Sequence, residues 1–345
     1  MKTRKLGKLT VSEIGMGCMG FSHGYGQIPE EEYSVEAIRA AYEYGCTFFD
    51  TAEAYGPNLL PENKGHNERI LAKAFDGLDR KSLVIATKLH LPTEEAKQKG
   101  VYQAVKDHLS VSLENLKTTY ADLYYLHRIN PDITVEEVAE AMARIAEEKL
   151  ILGWGLSQVP VGIIDKAHKV FPLSAVQNIY SMVERGVEEE VIPYCVRHNI
   201  GLVPFSPIAS GLLSGKVTAD TQFEKTDDVR NFVPQLKKEN IIANQPIIDL
   251  LREYAALKNA TPAQVSLAWM LHKYPNVVPI PGSKNKERIM ENLKASEIEL
   301  SDAEFRKLDE VLDSIEVHGY RGFDESDPRT GGFANWDKKK PGYRK

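Results

Sequence analysis

An acid and a phenol stand close together in Asp50-Thr51-Ala52-Glu53-Ala54-Tyr55. The run before them, Cys46-Thr47-Phe48-Phe49, is apolar and β-type, and Gly56-Pro57 follows. The pair is therefore expected where a buried strand empties into a loop. Lys88 closes a second such run, Ile85-Ala86-Thr87-Lys88, and His127 closes a third, Tyr124-Tyr125-Leu126-His127. A free phenol titrates near pH ~10, too weak an acid for useful work at neutrality. A lysine ammonium beside it favours the phenolate and lowers that pKa, while Asp50 would keep the ammonium charged and aimed. Tyr55 then becomes a general acid, an effect of about 10² to 10⁴ in rate. His127 is placed to orient and polarise a carbonyl. Each group alone has a structural explanation, as a buried ion pair or a core histidine. Four of them on neighbouring strand ends point to a site.

Elements of two kinds must position these groups. Short apolar runs predict strands over Glu13–Cys18, Thr47–Asp50, Leu83–Thr87, Asp122–Leu126, Ile151–Leu156, Ala175–Gln177, Gly201–Pro204 and Val277–Ile280. Several are almost wholly apolar, as parallel strands buried on both faces are. Between them, Glu31–Tyr44, Asn67–Phe75, Tyr102–Lys117 and Val135–Glu148 repeat apolar residues at helical spacing, and later Ile247–Lys258 and Ala263–Lys273 do the same. Capping boxes at Thr134-x-x-Glu137 and Ser301-x-x-Glu304, with Thr261-Pro262-x-Gln264, mark helix starts. Strands alternating with helices leave a closed (β/α)8 barrel or an open doubly wound sheet. The barrel is expected, because it brings the strand ends to one mouth. Residues 3–14 read as an N-terminal hairpin. Residues 206–241 are rich in turn and polar residues, too long for a routine connection, and read as a structureless lid. The tail at 318–345 carries Tyr320, Phe323, Phe333 and Trp336 and is expected to pack toward the pocket, with Tyr25, Glu53 and His90 also at the mouth. No linker divides the chain, so residues 1–345 read as one domain.

Composition narrows the class. The 345 residues are 42% hydrophobic and 27% charged, with a net charge of −6. That is ordinary for a globular chain with a large core and argues against a nucleic-acid surface. The run Lys338-Lys339-Lys340 near the terminus reads as solvated. Three cysteines, Cys18, Cys46 and Cys195, lack metal-ligand spacing and fit a reducing compartment. No long apolar stretch and no leader-like segment are present, so a cytoplasmic protein bound to neither membrane nor metal is expected. Nothing in the composition demands a homo-oligomer.

Gly15-Met16-Gly17-Cys18-Met19-Gly20 has the spacing of a dinucleotide-binding fingerprint. That motif needs a helix opening on the glycines. Two more glycines and Pro29 follow instead, so the glycines read as a first barrel loop passing close to a ligand.

The set Gly17-Cys18-Met19-Gly20, Phe49-Asp50-Thr51-Ala52-x-x-Tyr55-Gly56, Ala86-Thr87-Lys88, Leu126-His127-Arg128, Gly155-Leu156-Ser157, Ser206-Pro207-x-Ala209-x-Gly211-Leu212-Leu213-Ser214-Gly215-Lys216 and Pro279-Ile280-Pro281-Gly282-Ser283 resembles the aldo-keto reductase superfamily over nearly the whole chain. The resemblance implies Tyr55 as proton donor, with Asp50, Lys88 and His127 completing a tetrad. It also implies NADPH bound extended across the barrel to reduce an aldehyde or ketone. Ser157 and Gln177 would hold the carboxamide, with Gln158 beside them, and Phe205 would pack on the nicotinamide ring. Ser206, with Pro207, Gly211 and Lys216, would close over the pyrophosphate. Ser283, Lys284 and Arg288, following Gly282, would meet the 2′-phosphate, and Glu291 and Asn292 the adenine. Phosphate sites in such barrels do form after the last strands. Asn130, Gln158 and Phe205 depart from the residues usual in the family at those positions. Potassium-channel β subunits resemble the same family, so a cofactor-sensing regulatory subunit is the alternative; the short segment before the hairpin argues against an inactivation peptide. A barrel hydrolase using Asp50 and His127 would leave Tyr55 and Lys88 unexplained.

Overall fold

The computed structural model describes residues 1–58, 60–225 and 227–321. Strands β1 (Thr3–Leu6) and β2 (Leu9–Ser12) pair antiparallel as the expected hairpin. Seven parallel strands follow in sequential order: β3 (Met16–Gly17), β4 (Phe48–Asp50), β5 (Val84–Leu89), β6 (Ala121–Leu126), β7 (Ile151–Ser157), β8 (Ala175–Gln177) and β9 (Gly201–Leu202).

The eighth position departs from the regular strand predicted at Val277–Ile280. This stretch closes the barrel by isolated bridges, Leu202 to Val277 on one side and Gly17 to Gly282 on the other. Its ladder is still filled: Val278 N–H donates to Leu202 O, Ile280 N–H to Pro204 O, and Gly15 N–H to Pro279 O. Pro279 and Pro281 bring no N–H to a ladder, so regular pairing cannot propagate through them. At the seam a Cβ on Gly17 would lie 2.9 Å from the Ile280 carbonyl oxygen, which leaves room only for glycine.

Alternation along each strand sorts the side chains. Phe48, Ala86, Leu123, Tyr125, Ala175, Val203, Val278 and Ile280 form one buried cluster with Leu6, Leu9 and Val11 of the hairpin. This is the barrel interior, plugged by the hairpin at the end where the strands begin. Their neighbours Phe49, Ile85, Tyr124, Leu126, Trp154, Leu156, Val176 and Leu202 face outward into the layer of helices. Gly155 belongs to the inner face, where a Cβ would lie 2.5 Å from both the Tyr125 ring and the Ala175 carbonyl oxygen.

The helices are α1 (Glu31–Glu43), α2 (His66–Ala74), α3 (Thr93–Lys99), α4 (Val101–Leu116), α5 (Val135–Glu147), α6 (Val161–Val170), α7 (Val191–Arg197), α8 (Lys238–Ala243), α9 (Gln245–Lys258), α10 (Pro262–Lys273), α11 (Lys286–Leu293) and α12 (Asp302–Ser314). All three capping boxes form. Helix α3 escaped the periodicity reading because only Ala96 of its seven residues is buried. The 206–241 segment is not structureless. It contains 3-10 turns at Ala209–Ser214, Val229–Phe232 and Pro234–Leu236, and α8 begins at Lys238. Ser206, Ala209 and Ser210 adopt positive φ, a conformation with no apolar period to betray it. Among the described residues no helix is long and apolar enough to cross a membrane.

Candidate active site

Parallel register stacks the key side chains at the strand exits. Asp50 ends β4 opposite Ala86, and Lys88 of β5 lies opposite Tyr125 of β6. His127 follows β6, its N–H donating to Leu89 O. Lys88 is fully buried. Its Nζ donates to Asp50 Oδ1 at 2.5 Å, to Thr51 O at 2.7 Å and to Tyr55 Oη at 3.2 Å, which uses all three ammonium hydrogens. The other Asp50 oxygen accepts from Gln177 Nε2 at 2.8 Å. Each carboxylate oxygen thus holds a buried donor, which ties Asp50 to Lys88 on one side and to Gln177 on the other. Among the described residues no acidic, His or Cys cluster could hold a metal.

Burial decides the electrostatics. It works against the Lys88 charge, but Asp50 and Tyr55 outweigh it and hold the lysine above its ordinary pKa. Asp50 is raised by burial, with Lys88 and Gln177 pulling it back. Tyr55 differs from the sequence expectation: burial pushes its phenol above the usual value, and Lys88 offsets only part of that rise. At 9% exposure the phenolate would lose most of its hydration, a cost the nearby ammonium must overcome before it can acidify anything. His127 is driven well below its ordinary range, first by burial and then by His90 and Arg128. The His90 ring opens to the cavity and packs on the His127 ring, centroids 4.4 Å apart. It too is lowered, to about 4, mainly by burial. Both imidazoles are therefore neutral at pH 7. The Tyr55 ring sits 5.8 Å from His127 and 5.4 Å from His23, centroid to centroid.

A cavity of about 640 Å³ opens over these groups. Its lining takes in Asp50, Tyr55 and His127, with Ser157, Gln158, Gln177, Phe205, Ser206, Pro207, Gly211 and Lys216, and Gly282, Ser283, Lys284, Arg288, Glu291 and Asn292. Ser157 Oγ accepts from Arg128 at 3.0 Å. Gln158, at φ +56°, uses Oε1 to accept from Ile179 N–H at 3.1 Å. Ser206 Oγ accepts from Arg321 Nε at 2.9 Å. Lys216 and Glu291 are paired at 3.0 Å, with Thr261 also donating to Glu291. Ser283, Lys284 and Arg288 gather where α11 begins.

The 206–241 segment is pinned to the first barrel loop rather than free of it. Tyr25 bridges to Asp228, Gly24 N–H donates to Asp227 Oδ2 at 2.8 Å, and Gln27 N–H donates to Glu224 Oε2 at 2.8 Å. Arg128, Arg230, His23 and Arg321 line the cavity without having been assigned a role from sequence. Arg128 could have been found from its place directly after His127. Arg321 of the tail is buried and enters the cavity, whereas Phe323, Phe333 and Trp336 lie outside the described residues. Glu53 was expected at the mouth, but it turns inward. Its Oε1 accepts from His90 N–H at 2.9 Å and its Oε2 meets His108 Nδ1 at 2.6 Å.

A family model described as "Aldo/keto reductase family" matches residues 13–313. The chain is 32% identical to "Probable aldo-keto reductase 1" of Glycine max, over 95% of this chain and 93% of that one. It is 33% identical to "Aldo-keto reductase yakc [NADP(+)]" of Schizosaccharomyces pombe, over 92% and 94% respectively. Among solved structures it is similar to an aldo/keto reductase from Klebsiella pneumoniae in complex with NADP and acetate. That likeness has a TM-score of 0.69 and 26% identity and covers 90% of this chain and 95% of that one.

Proposed function

The chain belongs to the aldo/keto reductase family of oxidoreductases, and from that premise we propose that it reduces an aldehyde or ketone with NADPH, Tyr55 delivering the proton. The observation that carries the reading is the Lys88 ammonium, shared between Asp50 and Tyr55 at the floor of a cavity that continues to a basic helix start.

The donor set fits a dinucleotide. Lys284, Arg288 and the Ser283 hydroxyl at the start of α11 suit a phosphate dianion. Ser157 and the Gln177 amide at the other end suit a carboxamide, and Phe205 offers a ring face. Bound there, the nicotinamide would supply the hydride for the carbonyl carbon. Tyr55 keeps its proton at neutral pH, as a free phenol already does, and burial raises its pKa further. The proton therefore leaves only toward an oxygen that is gaining negative charge, and Lys88 at 3.2 Å stabilises the phenolate left behind. His127 stays neutral and can donate one N–H to the same oxygen. The name of the Schizosaccharomyces pombe relative supports NADP as the cofactor.

The test is direct. Tyr55→Phe should bind NADPH with unchanged affinity, read by protein fluorescence, and lose nearly all steady-state NADPH oxidation with a panel of aldehydes and ketones. An unchanged kcat in that variant refutes the mechanism.

A further inference from the structure

His108 lies on α4, outside the cavity, yet both its ring nitrogens meet carboxylates. Nδ1 is 2.6 Å from Glu53 Oε2 and Nε2 is 3.0 Å from Glu95 Oε2. With both carboxylates ionised, only an imidazolium, with two N–H groups, satisfies both contacts. The ring is 8% exposed, so water contributes little. Glu53 then uses its other oxygen to hold the main-chain N–H of His90 at 2.9 Å, and the His90 ring packs on His127.

We propose that His108 is a positioning cation, which locks Glu53 and through it sets the place of His90 and His127 in the cavity wall. The charged groups around it are Glu53 from the loop after β4, Glu95 and Lys99 from α3, Asp107 from its own helix and Glu68 from α2, whose carboxyl is raised chiefly by burial, with Glu53 adding to the rise. Glu53 and Glu95 together hold the His108 pKa above its ordinary value. When His108 loses its proton, one carboxylate faces a bare nitrogen lone pair. The Glu53 carboxylate is then free to swing, and the His90 N–H loses its anchor. The contact is present at neutral pH and is lost as pH rises through the elevated pKa, so it gives an alkaline limb to the reaction. That effect on turnover rests on the reductase reading; the effect on the histidine rings does not.

The experiment uses the full chain labelled with ¹⁵N-histidine, with ring nitrogens followed by NMR from pH 5 to 10 alongside kcat/KM for an aldehyde. His108 should show two protonated nitrogens at pH 7, and the His90 and His127 signals should shift as it titrates. E53Q should return His108 toward its ordinary pKa, move the His90 signals and lower kcat/KM about ten- to a hundredfold with NADPH binding unchanged. E95Q, at a partly exposed position safe for folding, should move the alkaline limb to lower pH without touching Tyr55. Ring shifts that behave as stated in a protein without turnover would uphold the positioning and refute the reductase reading instead. A neutral His108 at pH 7, or His90 signals and a pH profile unmoved in E95Q, overturns the proposal.

Discussion

Replacing Lys88 by methionine tests the site's electrostatic logic most sharply. The ammonium and the Asp50 carboxylate are 2.5 Å apart, with side-chain exposures of 0% and 4%. At an effective dielectric near 20, unit charges at that separation attract by about 7 kcal/mol. Desolvation takes back several kcal/mol for each ion, so the pair itself adds little net stability. Breaking it is another matter: Lys88→Met leaves Asp50 buried beside Gln177 alone, and the loss should be about 3–5 kcal/mol at pH 7. For a chain this long that is roughly 2 °C per kcal/mol, a fall in Tm of about 6–10 °C. The pH dependence has a definite sign. Burial already raises Asp50, and losing Lys88 raises it further. A carboxyl whose folded pKa exceeds its unfolded value contributes stability at low pH and loses it as pH rises through the folded pKa. The deficit of the variant should therefore shrink toward pH 5 and grow toward pH 8. Adding Asp50→Asn should recover much of the stability and none of the activity. Thermal melts and urea titrations at three pH values measure all of this. A single variant within 1 kcal/mol of wild type, or a double variant no more stable than the single one, refutes the reasoning.

Other outcomes follow from the same geometry. Gln177→Leu leaves one Asp50 oxygen without its 2.8 Å donor, so stability should drop by about 1–3 kcal/mol and urea midpoints should fall. Gly155→Ala drives a methyl to 2.5 Å from the Tyr125 ring inside the barrel, and a loss of about 1–3 kcal/mol with a lower Tm is expected. Because burial holds His127 well below its usual range and His90 at about 4, kcat should be flat from pH 7 down to about 5. An acid limb centred near 6.5 would show that one of these rings is charged in the working enzyme.

The residue order alone carried the barrel and its mouth. Apolar runs such as Tyr124-Tyr125-Leu126 and the capping boxes at Thr134, Thr261 and Ser301 are local signals, set by the period of a strand or by the orphan N–H groups of a helix end. Their places just after such runs mark Asp50, Tyr55, Lys88 and His127. Three things lay beyond that reach. The eighth strand position is held by bridges around Pro279 and Pro281, because closure depends on Gly17 meeting Gly282 across the seam. Glu53 turns to His108 and His90 rather than to the mouth, because its partners are strand and helix neighbours brought together only by folding. Lys88 offsets but does not overturn the rise in the Tyr55 pKa, because desolvation depends on depth in three dimensions while spacing in the chain records only who stands nearby. Local periodicity placed the polar groups at the strand ends; folding chose their partners, and burial decided what charge each of them carries.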